Sequence, residues 1–267
     1  MAVRFMGRSH QIIETPPWWR TPAGQQVLHW EQGFADAALA DAFGFHALQL
    51  GLPELDALRN NRIGRRWLGV QGPQQPPAAA GAAHSPDTGA RAAAALLCEF
   101  DALPFPGRSL DLVVLAHALE QARDPHLALA EVERVLVPEG RVLILGINPA
   151  SLWGGRRPRG PGGEPGELIG YRRLRDWLRL LSFEVEAARF GCFRPPFAQS
   201  AWLQRFAWME AVGERWWPVF GAVYALQAVK RVRGMRLVGL ARRQARYASA
   251  PRAAVTVRQR RQGPPLA

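Results

Sequence analysis

Residues 96–148 read LLCEFDALPFPGRSLDLVVLAHALEQARDPHLALAEVERVLVPEGRVLILGIN, and the fold follows from the spacing of the apolar runs in and beside them. Residues 95–98, 110–115 and 141–147 are three such runs. The last two, rich in Leu, Val and Ile, show little alternation, as expected of strands covered on both faces. Between them lies a helical segment opened by Asp124-Pro125, a capping side chain followed by proline at the first helical position. Its residues Leu127, Leu129, Val132, Val135 and Leu136 fall largely on one face, at spacings of three and four. Glu139-Gly140 is expected to end it, with glycine supplying the left-handed turn. Strand, helix and strand with short connections predict a parallel pair joined by a right-handed crossover. The result is an α/β fold whose ligands bind beyond the carboxyl ends of the strands.

The rest of the chain bounds this reading. At 267 residues and 48% hydrophobic content, one medium α/β domain with appendages is expected. No apolar run reaches the roughly 18 residues of a membrane-spanning helix, and the first residues lack the pattern of a secretory signal. Cys98 and Cys192, the two cysteines, suit a reducing, cytoplasmic setting. The six histidines show no metal-ligand spacing, so no metal is assigned. The net charge of +12 is unevenly placed. From Arg215 to the last residue there are twelve basic side chains and no acidic one, whereas the preceding chain is neutral.

Thr21-Pro22 begins a helix running to about residues 41–42. Further strands are predicted at 47–50, at 66–70 before Gln71, and at 183–190, with a helix at 171–181. Residues 72–92 are low in complexity and read as a long surface loop. A second long loop spans 155–170. Within 192–217, Trp202, Phe206, Met209 and Trp216 recur at near-helical spacing. Such a stripe packs into a core, covers a substrate, or meets a lipid interface. Residues 241–267 form a basic tail expected to be disordered; such a tail is a tether to nucleic acid or anionic membrane, or a solvated end.

Several of these residues are familiar in combination. Asp101-Ala102-Leu103-Pro104-Phe105, then residues 110–114, then Glu133-Arg134-Val135-Leu136-Val137-Pro138-Glu139-Gly140 resemble the second half of a class I S-adenosylmethionine-dependent methyltransferase, closest to the type 11 group. Residues 148–154 resemble a further signature of an uncharacterised bacterial branch of that group. The resemblance covers roughly residues 15–235 by element order. It implies a Rossmann-like, mostly parallel seven-stranded sheet with an antiparallel last strand at 219–232, in a domain spanning 1–240 with a helical insertion at 192–217.

The resemblance also places a site and exposes a departure. The family usually has an acid just before a G-x-G-x-G turn. Here Gln49 stands for the acid, Gly51 matches the first glycine, and Pro53 and Leu55 occupy the other two positions. Gln71 falls where an acid would meet the ribose hydroxyls. Glu99 matches the acid that receives the adenine amino group, or is a solvated strand end, and the Phe100 amide would face the ring. Ala116 and His117 form the floor of the family's pocket. There His117 is a candidate general base, or a neutral histidine bonded to backbone at a helix start. These residues imply S-adenosylmethionine as cofactor and a small-molecule or lipophilic acceptor. The alternative is a catalytically inactive methyltransferase-fold binding module, favoured by Gln49, Pro53, Leu55 and Gln71, whose Arg-rich tail tethers it to nucleic acid or anionic membrane.

Overall fold

A computed structural model describes residues 19, 21–71, 94–154, 167–195 and 204–232. The strands are β1 His46–Gly51, β2 Arg65–Val70, β3 Ala94–Leu97, β4 Leu110–Ala116, β5 Leu136–Ile147, β6 Phe183–Gly191 and β7 Val223–Lys230. They form one sheet in the order β3-β2-β1-β4-β5-β7-β6. The first five run parallel, and β7 lies antiparallel to both β5 and β6. This is the Rossmann-like arrangement that the sequence implied. The helices among the described residues are α1 Pro22–Leu39, α2 Pro125–Val135, α3 Tyr171–Leu180 and α4 Trp208–Trp216, followed by a 3-10 turn at Pro218–Phe220. Residues 72–92 and 241–267, Trp202 and most of 155–170 lie outside the described residues.

Local chemistry accounts for the element boundaries. Thr21 Oγ1 accepts from the Gly24 amide, and Asp124 Oδ1 accepts from the amides of His126 and Leu127, so both proline-started helices are capped as expected. The end of α2 differs from the expectation. Helix gives way to strand at Leu136, which is extended and pairs with Leu110. Glu139, with φ of 65°, takes its left-handed turn inside β5, where the register against β4 shifts. Long-range pairing therefore wins four residues that helical periodicity assigned to the helix. Likewise β7 starts at Val223, because Pro218–Phe220 forms the 3-10 turn.

Alternate residues of each central strand enter two apolar cores, which is why the runs look continuous in sequence. Leu48, Leu50, Val113, Leu115, Val142 and Ile144 pack with Leu129 and Val132 of α2 and Leu174 and Leu178 of α3. Ala47, Leu112, Val114, Leu143 and Leu145 pack with Ala35 and Leu39 of α1.

The β1–β2 crossover, residues 52–64, contains no helix, only turns. Its apolar residues Leu52, Leu55, Ala57, Leu58 and Ile63 fill the α1-side core directly. Gln49, by alternation on that same face, holds the turns in place. Its Nε2 donates to the carbonyls of Leu52 (3.0 Å) and Leu55 (2.5 Å), and its Oε1 accepts from the Ala57 amide at 3.0 Å. A carboxylate there could not donate, so the amide is what a helix-free crossover requires. Gln49→Glu should therefore leave two buried carbonyls unpaired and cost about 2–4 kcal/mol of folding stability, measurable by urea unfolding, with Gln49→Ala less damaging.

Candidate functional site

The strand registers bring one edge of the sheet together. Gly51 pairs with Ala116, Ala116 with Leu145, Ile147 with Val223, and Val223 with Gly191. The carboxyl ends of β1, β4, β5 and β6 thus share an edge with the start of β7. Gly51 has a φ of 98°, and a Cβ on it would lie 2.1 Å from the Ala116 carbonyl oxygen. The Leu52 amide donates to that same oxygen at 2.9 Å. Glycine is needed here for the contact between β1 and β4. Gln49 differs from its expected cofactor role: its amide is spent on the crossover backbone. Leu55 packs into the α1-side core.

The tips of β2 and β3 carry the polar groups that a nucleoside would meet. Gln71 is buried, and its Oε1 has no hydrogen-bond partner. A buried acceptor left unsatisfied is costly, and a ribose hydroxyl is a donor that would relieve it. Glu99 is exposed beyond the end of β3, its carbonyl accepting from the Ala102 amide at 3.3 Å. Phe100 beside it is buried in the α2-side core. These groups fit the adenosine portion of S-adenosylmethionine in the chemistry they offer: acceptors at two neighbouring strand tips, opposite a ligand rich in hydroxyl and amino donors.

His117 follows the last residue of β4 and is buried with two carboxylates. Its Nε2 lies 2.8 Å from Glu31 Oε1 and its Nδ1 lies 3.3 Å from Glu120 Oε1. The Trp19 ring lies 4.9 Å from the imidazole, centroid to centroid. Burial by itself lowers the imidazole pKa, but the Glu31 charge and hydrogen bonds to both carboxylates outweigh it and raise it from 6.5 to about 10. The ring is an imidazolium with both N–H groups occupied. It therefore has no lone pair to offer at neutral pH, and the general-base role expected for His117 is corrected on that ground. The neutral-histidine alternative is corrected with it. The backbone of His117 is also unusual, with φ of 52°, held by its amide bond to the Leu145 carbonyl.

The two acidic partners were missed in the sequence. Glu31 occupies the buried stripe of α1, at spacings of four with Val27 and Ala35. An acid on an apolar stripe is the signal that could have found it. Glu120 lies three residues beyond His117 and also accepts from the Ile147 amide at 2.8 Å. The cluster thus ties α1 to the ends of β4 and β5. Glu31 Oε2 and Glu120 Oε2 have no hydrogen-bond partner, so each carboxyl group keeps an acceptor that the imidazole does not fill. Among the described residues no group of three or more His, Cys, Asp or Glu side chains could hold a metal ion.

At the same edge, beyond β5 and β6, an apolar cleft of about 500 Å³ opens between Leu152, Phe193, Trp208, Met209, Trp217 and Phe220. Gly213 of α4 makes the close approach that shapes it, since a Cβ there would lie 2.4 Å from the Phe193 ring.

A sheet of this order, with β7 antiparallel between β5 and β6, is the arrangement of the class I methyltransferases that the chain resembles. A methyltransferase-domain family model matches residues 70–144. The chain is 41% identical over 93 residues to YafS of Escherichia coli K12, a protein described as uncharacterized; this spans 33% of this chain and 39% of that one. It is 45% identical over 51 residues, 19% of this chain and 21% of the relative, to the ubiquinone/menaquinone biosynthesis C-methyltransferase UbiE of Paraburkholderia xenovorans. The chain thus matches well under half the length of these relatives. The solved S-adenosylmethionine-dependent methyltransferase of Mesorhizobium loti has the same fold, with a TM-score of 0.53 at 15% identity, covering 76% of this chain and 97% of that one.

Because the His117 pKa is raised from 6.5 to about 10, the cluster's contribution to stability is complete below pH 6.5 and is lost as pH rises towards 10. Denaturant unfolding across that window should show falling stability. His117→Gln should be less stable at neutral pH, by about 3–5 kcal/mol for a broken buried pair, with a flatter profile through the same window.

Proposed function

We propose that this chain is a cytoplasmic S-adenosylmethionine-dependent methyltransferase whose acceptor is small or lipophilic. The observation that carries the reading is the buried, unpartnered Oε1 of Gln71 at the β2 tip, in a fold whose ligands sit over the strand ends. When bound, S-adenosylmethionine supplies an electrophilic methyl group. Gln71 would accept from the ribose hydroxyls, and Glu99 from the adenine amino group, with the Phe100 amide facing the ring. Ala116 and Gly51, drawn together by the Leu52 amide, would form the floor. The unpartnered oxygens of Glu31 and Glu120 would favour a cationic ligand above β4.

Methyl transfer from a sulfonium needs little covalent help from protein. Alignment at near-attack distance, away from water, provides much of the acceleration. An acceptor with an apolar body would be aligned by the cleft walled by Phe193, Met209 and Trp217, on the same edge of the sheet. The identity to UbiE over 51 residues is compatible with a quinol-like acceptor. No side chain of this chain is assigned as base, so an acceptor already nucleophilic at neutral pH suits the site.

Calorimetric titration with S-adenosylhomocysteine, the demethylated product, tests the reading. Saturable binding is expected, weakened by up to about tenfold in Gln71→Leu through loss of neutral hydrogen bonds. No binding would leave the alternative of an inactive methyltransferase-fold scaffold.

A further inference from the structure

Exposed bulky apolar side chains are concentrated beside the cleft. Residues 214–220 (ERWWPVF) are all exposed, and five of them in succession are apolar. Trp216 is 69% exposed, Trp217 58%, Val219 53% and Phe220 58%, with Leu152 across the cleft at 69%. Residues this hydrophobic usually bury on folding, so a contiguous patch in water calls for a partner.

The patch is held firmly from behind. Asn148 Nδ2, at the end of β5, donates to the carbonyls of Val219 (2.7 Å) and Gly221 (2.9 Å). The Trp217 amide donates to the Gly213 carbonyl at 2.9 Å, and the Phe220 amide to the Trp217 carbonyl at 3.0 Å. With these backbone groups satisfied internally, the segment presents its side chains outward at a fixed angle.

We propose that this face docks on an anionic lipid bilayer, with Trp216 and Val219 entering the headgroup region. Two properties of the chain select a bilayer over a second copy. Trp is the side chain that favours the membrane–water boundary, where an apolar body meets a polar edge. In addition, from Arg215 onward the chain carries twelve basic residues and no acidic one. That charge complements anionic headgroups and repels a second copy of itself. None of the described helices is long and apolar enough to cross a membrane, so the contact is with the surface. The proposal extends the functional reading but does not depend on it, since docking requires neither cofactor nor turnover. Where the functional reading holds as well, the cleft would open towards the lipid phase and receive an acceptor directly from it.

The test uses the full chain and two kinds of vesicle, phosphatidylcholine alone and phosphatidylcholine with about a third phosphatidylglycerol. The protein should float with the anionic vesicles at least about tenfold more than with neutral ones, and less at high salt. Lipids brominated along the chain should quench its tryptophan emission. The pair Trp216→Ser and Val219→Ser lies outside the cleft lining and should cut flotation about tenfold. Its circular dichroism and its affinity for S-adenosylhomocysteine, if the parent has any, should be unchanged. The proposal is overturned if the parent does not float, or if the paired variant floats as well as the parent. It is equally overturned if light scattering shows a dimer in solution that the paired substitution dissolves.

Discussion

Glu31, His117 and Glu120 are three titratable side chains withdrawn from water, and they can coexist only because one of them carries a proton between the other two. An isolated carboxylate in such a place would be strongly penalised. An imidazolium with a carboxylate on each nitrogen neutralises much of the charge and satisfies both of its N–H groups. The arrangement has an architectural consequence, because Glu31 belongs to α1, His117 follows β4, and Glu120 also caps the end of β5 through the Ile147 amide. The N-terminal helix is thereby fixed against the two central strand ends, and the rest of that edge is built around it.

Around this anchor the polar groups divide their work by distance from the sheet. Gln49 and Gly51 serve the protein itself, shaping a helix-free crossover and the contact of β1 with β4. Gln71 and Glu99 follow the ends of β2 and β3, towards the outer side of the sheet, and their side-chain oxygens are not spent on the crossover. Where the related family uses charged or glycine-rich backbone at β1, this chain has put the structural role first.

The fold was largely legible because local signals agreed with one another. Two proline-started helices had capping side chains in place, and the uninterrupted apolar runs at 110–115 and 141–147 marked strands covered on both sides. The errors came from pairings that only the tertiary fold creates. Leu136 fits a helical stripe, yet Leu110 captures it for β5. Gln49 was read against an expected ligand, although its partners lie three to eight residues ahead in a turn that only tertiary packing creates. His117 was visible at the floor of the site, but its protonation depends on Glu31, a residue 86 positions away. The aromatic stripe before residue 217 was equally ambiguous: α4 buries only Gly213 and leaves Trp208 and Trp216 outside. Periodicity identifies such a stripe without saying what stands opposite.

Lys230 closes β7 and is the chain's single lysine. Its ammonium is buried, paired with Glu133 Oε1 at 2.9 Å and donating to the Glu133 and Leu136 carbonyls. The other thirty-three Lys and Arg positions are all Arg, whose guanidinium does not acylate under ordinary conditions. While the fold persists, the chain therefore offers amine-directed reagents no accessible lysine. Acylation of Lys230 would thus report the opening of the sheet around β7, an intrinsic reporter of unfolding that needs no engineered label.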